Sequence, residues 1–201
     1  MEEKKPNIGF QKDYWSSRWN NNETGWDLGH ASPALVEYVE QLTDKNIKIL
    51  IPGSGNAHEA QYLFKAGFKN IYVLDFAEEP LENLKAVLPQ IPDDQLICSD
   101  FFHHEGQYDL ILEQTFFCAI DPVLRSEYVK HTSQLLKPGG KIAGLLWSVP
   151  LNEDHPPFGG NHAEYEELFT PYFNIETMEP AYNSIAPRAN RELFVIFRKP
   201  E

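Results

Sequence analysis

The residues best placed to do chemistry form a turn, Gly53-Ser54-Gly55, between a short apolar run and a helical pattern. Because glycine has no Cβ, a chain that bends at paired glycines lets a ligand lie directly against the backbone. Asp75 ends the next apolar run, about 20 residues further on. In dinucleotide-binding folds a carboxylate at that distance accepts hydrogen bonds from both hydroxyls of a ribose. The turn and the carboxylate together predict a site for a nucleoside.

The turn lacks the third glycine of the dinucleotide-binding pattern. That pattern cradles a pyrophosphate, so its incompleteness favours a nucleoside ligand without phosphates, such as S-adenosylmethionine. It also counts against a nicotinamide-dependent oxidoreductase. A Gly-x-Gly pair alone is a weak signal, and the acidic partner at the right distance strengthens it.

Composition limits the classes of protein that this chain can belong to. Its 201 residues suffice for one domain with a sizeable core. A formal net charge of -13 argues against nucleic-acid binding, since proteins that bind a phosphate backbone present basic surfaces. No stretch approaches the roughly 18 apolar residues of a membrane span, and the amino terminus lacks the apolar core of a secretory signal. We expect neither a membrane nor a nucleic-acid partner.

Cysteine and histidine give no sign of a metal site. Cys98 and Cys118 lack metal-type spacing and fit free thiols in a reducing cytoplasm, which is the location we expect. Cys118 lies in an apolar stretch, which indicates a small buried side chain rather than a nucleophile. Four histidines without ligand-type neighbours are interpreted as surface or packing residues: His30, His103, His104 and His131.

Strand and helix patterns alternate along the chain, which predicts a parallel sheet with helices on both faces. A turn at 137–140 precedes the fifth strand. The strand patterns are nearly continuous apolar runs, as expected when both faces are covered. The predicted helices are 32–43, 56–66, 77–88, 122–136 and 162–170; the predicted strands are 47–51, 70–75, 95–98, 108–113, 141–147, 173–178 and 192–198.

The candidate residues converge on one edge of this predicted sheet. Gly53, Gly55, Asp75, Asp100 and Glu113 all fall at the carboxyl ends of predicted strands. Ligands of open α/β sheets bind at that edge, where the strand order reverses. The convergence is stronger evidence for a binding site than any one of these residues.

From about Tyr14 onward the chain resembles class I S-adenosylmethionine-dependent methyltransferases. More narrowly, it is similar to the thiopurine S-methyltransferase family, and closest to the branch with the plant halide/thiol methyltransferases. The amino-terminal Trp-x-x-x-Trp and the His-Pro-Pro-Phe segment are far more specific than the glycine turn. The distinctive segments are Asp13-Tyr14-Trp15-Ser16-Ser17-Arg18-Trp19, Thr24-Gly25-Trp26-Asp27-Leu28-Gly29-His30, the glycine turn, Phe116-Phe117-Cys118-Ala119-Ile120 and His155-Pro156-Pro157-Phe158.

The resemblance implies a Rossmann-like α/β fold with a seven-stranded, mostly parallel sheet and an antiparallel last strand. It implies that residues 1–31 cover the cofactor site of a single methyltransferase domain, 32–201. Trp15, Trp19 and Trp26 would line the methionine end, where aromatic faces attract a cationic sulfonium. From spacing alone, Trp15 and Trp19 are more typical of a packed core than of a cofactor site.

The resemblance also assigns the remaining cofactor contacts. Gly53, Ser54 and Gly55 would pass under the methionine and ribose, and Asp75 would hold the ribose hydroxyls. The Asp100-Phe101 pair would hold the adenine, and Glu113 would lie near the methionine. The alternatives from sequence are plain: Asp75 could stabilise a helix amino terminus, the Ser99-Asp100 pair could form a turn, and Glu113 could be a solvated strand end.

The acceptor pocket is expected outside the cofactor contacts. Phe116 and Phe117 follow the fourth strand, and a proline-stiffened loop with His155 and Phe158 could close over the pocket. Arg188 could attract an anionic acceptor, although an exposed arginine is more common. His155, with Asp154, could assist deprotonation of a thiol, but no residue is assigned as catalytic.

One departure from the family bears on the substrate. Thiopurine enzymes carry Asp-Arg after the fourth strand and plant halide/thiol enzymes carry Asp-Tyr, whereas this chain has Glu113-Gln114. The segment that follows is closer to the plant type. We therefore expect Gln114 to be a pocket residue, the pocket wall to be uncharged, and the acceptor to be a small thiol, hydrosulfide or halide. We also expect a monomer. The alternatives are an aromatic-thiol methyltransferase and a non-catalytic protein that binds S-adenosylmethionine.

Overall fold

The computed structural model describes residues 12–21 and 23–201. The first eleven residues of the predicted covering segment, together with residue 22, lie outside the described residues. The helices are α1 (Lys12–Asn20), α2 (Pro33–Glu40), α3 (His58–Lys65), α4 (Glu79–Val87), α5 (Arg125–Leu135) and α6 (His162–Phe169). The strands are β1 (Lys48–Pro52), β2 (Asn70–Asp75), β3 (Leu96–Cys98), β4 (Tyr108–Gln114), β5 (Leu136–Trp147), β6 (Asn174–Pro180) and β7 (Glu192–Arg198).

All seven strands form one sheet in the order β3-β2-β1-β4-β5-β7-β6. The first five strands run parallel to one another, and β7 runs antiparallel to both β5 and β6. The predicted fold class and the antiparallel last strand are confirmed. The order reverses between β1 and β4, so their carboxyl ends flank the crevice in which such sheets bind ligands.

The core lies on both faces of the sheet, as the apolar strand patterns predicted. Within β1, Leu50 packs into one apolar cluster while Ile49 and Ile51 pack into the other. Within β4, Ile111 and Leu110 divide between the clusters in the same way. Side chains alternate across a strand, so a continuous apolar run fills both layers. Two rigid layers therefore hold the strand ends in fixed positions.

The predictions did not include α1, and the bounds of the predicted elements differ mainly at one place. The turn predicted at 137–140 lies inside β5, because Tyr108 pairs with Leu136 and Leu110 pairs with Lys141. Residues 137–140 of β5 therefore lie opposite the single residue Asp109 of β4 and form a bulge. Gly139 in this bulge has φ +71°. The strand continues through the bulge because Gly139 and Gly140 bond to Lys199 of the final segment. Among the described residues, no helix is long and apolar enough to cross a membrane.

Candidate functional site

A cavity of about 590 Å³ opens at the edge where the parallel strands end. Residues that follow five neighbouring strands reach it, and residues that precede α2 cover it. The predicted convergence of strand ends is therefore present. The strand-end residues in its lining are Gly53 and Gly55 after β1, Asp75 and Phe76 at β2, Ser99 and Asp100 after β3, Thr115 and Phe116 after β4, and Trp147 at β5.

The bend after β1 forms the floor of the cavity. Gly53 has φ +67° and Gly55 has φ +50°, a region that side chains with a Cβ rarely adopt. A Cβ on Gly53 would lie 2.4 Å from a ring carbon of Phe116, and one on Gly55 would lie 3.5 Å from the Trp26 indole nitrogen. Both the backbone conformation and the neighbouring ring therefore require glycine at position 53.

Asp75 supports this bend and also lines the cavity. Its Oδ2 accepts a hydrogen bond from the Ser54 backbone N–H at 3.0 Å, and its Oδ1 accepts one from Ala77 at 3.0 Å. Burial raises the pKa of Asp75 to about 6, although the hydrogen bonds favour the ionised carboxylate. Ser54 is itself buried and contributes through its backbone, since its side chain does not line the cavity.

Asp100 and Phe101 form the wall beyond β3. The Asp100 carboxylate accepts a hydrogen bond from the Phe102 N–H at 2.9 Å and caps a short 3-10 turn, so the turn expected as an alternative is present. Asp100 still lines the cavity. The Phe101 ring stacks on Tyr128 with centroids 5.3 Å apart and contacts Phe116 edge-on at 5.1 Å. This wall is continuous with the core and is therefore rigid.

Three indole rings cover the cavity, and we call Trp15, Trp19 and Trp26 the roof. The Trp26 ring meets Trp15 edge-on at 5.6 Å and Trp19 at 5.8 Å between centroids. All three line the cavity, and none is fully buried. The alternative of a packed core at Trp15 and Trp19 does not describe these positions, whereas their contact with a cofactor stays a prediction.

Glu113 lies outside the cavity lining, beneath the loop that follows β4. Its carboxylate accepts hydrogen bonds from the backbone N–H groups of Phe116 and Phe117 and from the Tyr128 hydroxyl, each at 2.8 Å. Its exposed fraction is 2%, so it is not a solvated strand end. Glu113 thus holds the loop that carries Phe116, instead of facing the cavity as predicted.

Of the six predicted pocket residues, Phe116 and Arg188 line the cavity. Phe117 is a core residue whose ring meets Tyr165 edge-on. His155 is half-exposed and lies 3.7 Å from Asp154, away from the lining. The four predicted residues outside the lining are Gln114, Phe117, His155 and Phe158.

Gln114 and Phe158 lie outside for different reasons. Both polar atoms of the Gln114 amide are buried and lack a hydrogen-bonding partner among the described residues.

Phe158 is buried, and its N–H donates to the Cys118 carbonyl at 2.8 Å. Arg125 donates to the Gly159 carbonyl at 2.8 Å. The proline loop is therefore anchored at its base, and it contributes the two prolines 156 and 157 to the cavity wall.

Arg188 is buried, with an exposed fraction of 7%, and not exposed as is common for arginine. Its guanidinium donates to Glu192 at 3.2 Å and to the Trp26 carbonyl at 3.1 Å. The guanidinium carbons of Arg188 and Arg191 lie 5.2 Å and 5.1 Å from the centroid of the Trp147 ring. Arg188, Arg191 and Trp147 all line the cavity. The buried Glu192 balances the charge of Arg188, so Arg191 supplies the positive charge of this wall, which the sequence predicted to be uncharged.

Sequence reasoning missed several lining residues. Trp147 ends β5, so the strand-end rule that selected Asp75 applies to it as well. Arg18 lies between two roof tryptophans in the sequence, and its guanidinium donates to the Tyr14 hydroxyl at 3.1 Å. Arg191 carries no motif of its own. Only the fold brings it to the same indole ring as Arg188.

Cys118 is a buried free cysteine, as predicted, and it lines the cavity. Its thiol donates to the Thr115 carbonyl at 3.4 Å, and burial raises the pKa of Cys118 to about 12. Within the described part of the chain, no group of three or more His, Cys, Asp and Glu side chains is arranged to hold a metal ion.

A mostly parallel seven-stranded sheet of this order, with β7 antiparallel, a glycine bend after β1 and a carboxylate at the end of β2, is the fold of a class I S-adenosylmethionine-dependent methyltransferase. The 1,6-didemethyltoxoflavin-N1-methyltransferase of Burkholderia thailandensis, solved with S-adenosylhomocysteine, has a TM-score of 0.78 at 13% identity, covering 100% of this chain and 93% of that one. The N-methyltransferase NodS of Bradyrhizobium japonicum, also with S-adenosylhomocysteine, has a TM-score of 0.70 at 16% identity, covering 95% and 100%.

The chain belongs to the thiopurine S-methyltransferase family, whose model matches residues 10–199. It is therefore an S-adenosylmethionine-dependent methyltransferase. It is 28% identical to probable thiol methyltransferase 2 of Arabidopsis thaliana, over 89% of this chain and 81% of the relative. Thiocyanate methyltransferase 1 of Brassica oleracea is also 28% identical, with the same coverage. Thiopurine S-methyltransferase of Vibrio parahaemolyticus is 26% identical, over 92% and 97%.

Replacing Glu113→Gln is expected to lower the free energy of unfolding by about 1–3 kcal/mol, because the amide NH2 would face donors that now bond to a carboxylate. Burial raises the pKa of Glu113 to about 7. The Glu113 carboxyl group therefore binds its proton more tightly in the folded protein than in the unfolded chain. The resulting contribution to the free energy of unfolding falls as pH rises from about 4.5 to 7. The Glu113→Gln variant lacks this contribution, so its free energy of unfolding falls furthest below that of the wild-type protein at low pH.

Urea denaturation at pH 5 and pH 8 measures both effects, with the exposed Glu179→Gln as a matched control. Equal stability of the wild-type protein and the Glu113→Gln variant at both pH values would contradict the assigned support role.

Proposed function

We propose that the floor, the roof and Asp75 together hold S-adenosylmethionine, with Asp75 accepting hydrogen bonds from the ribose hydroxyls. Two observations support the fit. Gly53 and Gly55 both have positive φ and both line the cavity, so the bend presents its backbone to the ligand. Asp75 is a largely buried carboxylate that faces the cavity and can accept further hydrogen bonds.

The other cofactor contacts follow from position. Asp100 and Phe101 line the adenine side, and the roof of Trp15, Trp19 and Trp26 covers the methionine side. Aromatic faces stabilise a nearby cation by about 0.5–2 kcal/mol, depending on desolvation. Ser54 and Glu113 act through the backbone that they support, so their roles are indirect.

We propose that the methyl acceptor is a small, soft anion: a thiolate, hydrosulfide, thiocyanate or halide. The observation that carries this proposal is the placing of two guanidinium groups in the lining, Arg188 at 5.2 Å and Arg191 at 5.1 Å from the centroid of the Trp147 ring. Glu192 balances Arg188, so the charge of Arg191 is the one that favours an anionic acceptor, and the remaining wall is mostly apolar and desolvates it. The apolar residues of that wall include Phe116, Ala119, Ile120, Leu124 and the prolines 156, 157 and 187.

The bound donor supplies a methyl group on a positively charged sulfur, which the acceptor attacks in line. A thiolate or halide arrives without a proton to remove, so the protein needs to position and desolvate it more than to act as a base. The carboxylate of Asp121 in the lining accepts a hydrogen bond from Val123 at 3.0 Å and caps the short helix that follows. It is not required as a general base for such acceptors.

Relatives support this acceptor class in part. The plant relatives carry the names thiol and thiocyanate methyltransferase, whereas the bacterial relatives are named for thiopurines. Gln114 replaces the arginine of the thiopurine enzymes and does not reach the cavity. An aromatic-thiol acceptor is therefore the second candidate.

Incubation of the purified protein with S-adenosylmethionine and a panel of acceptors tests the proposal. We expect kcat/KM to be highest for hydrosulfide, thiocyanate or iodide and lower for thiophenol and a thiopurine. Turnover of the aromatic thiols alone would establish the second candidate. Tight binding of S-adenosylhomocysteine with no methylated product from any acceptor would indicate a non-catalytic binding protein.

Arg191→Gln is expected to raise KM for thiocyanate or iodide several-fold while KM for S-adenosylmethionine stays unchanged. Arg191 is exposed and contacts the wall through the Trp147 ring, so its loss removes charge without opening the core. Steady-state kinetics with one acceptor varied at a time measures the effect, and the exposed Lys130→Gln on α5 is the charge-matched control. An unchanged acceptor KM would remove Arg191 from the acceptor wall.

Binding of S-adenosylhomocysteine is expected to weaken as pH falls below about 6, the pKa to which burial raises Asp75. The ribose hydroxyls would donate to the ionised carboxylate, so the ligand prefers that form and loses affinity when it is protonated. Asp75→Asn should weaken binding at pH 8 roughly tenfold or more and remove this pH dependence. Calorimetry from pH 5 to 8 measures it, with the exposed Asp94→Asn as control; an unchanged affinity would reassign the ribose contact.

We also propose that the protein acts in the cytoplasm, as a monomer and without a nucleic-acid partner. The free, exposed thiol of Cys98 fits a reducing compartment. The net charge of -13 fits a protein that does not bind a phosphate backbone. Light scattering on the purified protein determines its oligomeric state.

A further inference from the structure

The segment that carries Trp26 is tied to the amino end of α3 by one carboxylate. Asp27 accepts hydrogen bonds from Asn56 Nδ2 at 2.6 Å, from His58 Nε2 at 2.7 Å and from the Gly29 N–H at 2.9 Å. A carboxylate only accepts, so His58 donates through Nε2. Although burial works against it, hydrogen bonds from Gly29, His58 and Asn56 lower the pKa of Asp27 below its usual value. Asp27 is thus an ionised acceptor with three donors.

Asn56 and His58 belong to the same turn as the floor. They follow Gly55 directly along the chain, and the Ala57 N–H donates to the Ser54 carbonyl at 2.7 Å. Ser54 in turn bonds to Asp75. The donors to Asp27 are therefore rigidly connected to the floor, whereas Asp27 is adjacent to Trp26 in the roof.

Besides this link, the described residues hold the roof by contacts among its own rings and by a hydrogen bond from Arg188. No residue of α1 is buried, and the side chains of Lys12 and Ser16 bond to two glutamates at α4. Segments with little buried apolar surface open at low free-energy cost. Arg188 holds the Trp26 carbonyl from the opposite side. Opening the roof at Trp26 thus requires breaking the bonds to Asp27.

We propose that Asp27, Asn56 and His58 form a latch that keeps Trp26 closed over the cofactor and sets the rate at which S-adenosylhomocysteine leaves. The latch residues are positioning residues, because they act through Trp26 and do not line the cavity. The inference rests on the proposed cofactor site. It adds that cofactor exchange requires the latch to open, since the Trp26 indole approaches the floor at Gly55.

Stopped-flow tryptophan fluorescence of S-adenosylhomocysteine dissociation tests the latch. We expect His58→Leu to raise both the dissociation rate and Kd about tenfold, and His58→Gln, which keeps a donor at a similar place, to restore values close to wild type. Asn56→Ala removes the other side-chain donor and should act in the same direction, so the test remains available if His58→Leu fails to fold. The exposed His30→Leu on the same segment is the control.

A double-mutant cycle with Trp26→Phe separates the latch from general stability. If the latch acts through Trp26, His58→Leu changes the dissociation rate less in the Trp26→Phe variant than in the wild-type protein. A lower melting temperature with an unchanged dissociation rate, or additive effects in the cycle, would overturn the latch. Failure of the wild-type protein to bind S-adenosylhomocysteine would instead contradict the proposed cofactor site.

Discussion

The sharp bend after β1 is the constraint on which the site depends. Gly53 has a backbone conformation that few other residues adopt, and the Phe116 ring occupies the place of a Cβ. Asp75 fixes the bend from the neighbouring strand through the Ser54 N–H. Since β1 and β2 are buried in both layers of the core, the packing of the whole sheet determines the position of this short turn. A ligand can rest on it without having to order it first.

Support residues beneath the cavity extend the same principle. Glu113 has the position in the sequence of a ligand-binding carboxylate. Its oxygens instead accept hydrogen bonds from two backbone N–H groups and a tyrosine hydroxyl. That arrangement holds Phe116 against Gly53. Buried carboxylates of this kind are tolerated because every oxygen has donors. The floor and the wall beside it therefore form one connected unit, on which a methyl donor and a small anion can be aligned.

Much of this arrangement could be predicted from the sequence, because strand ends in a parallel sheet meet at one edge. Gly53, Gly55, Asp75 and Asp100 all line the cavity at the predicted edge of the sheet. The errors share a physical cause. Gln114 and Phe117 are close in sequence to lining residues, but a position beside the site does not fix the direction of the side chain. Glu113 shows that residue type and position do not reveal which hydrogen bonds a carboxylate makes.

Contacts between distant segments could not be predicted. Trp147 and Arg191 meet only because β7 runs antiparallel to β5. Asp27 reaches Asn56 and His58 across about 30 residues, and nothing in the local pattern indicates that pairing. Such contacts depend on how the helices and strands are arranged in space. Hydrophobic periodicity predicts which helices and strands form but not that arrangement.

The burial of Cys118 has a consequence for the durability of the protein. If the proposed cofactor site is correct, the Cys118 thiol lies in the same cavity as an alkylating sulfonium and is itself a potential acceptor, whose reactive form is the thiolate. With its pKa raised to about 12, Cys118 remains protonated at physiological pH. Under the proposed function, the protonated thiol of Cys118 would line the cavity without competing with the acceptor for the methyl group.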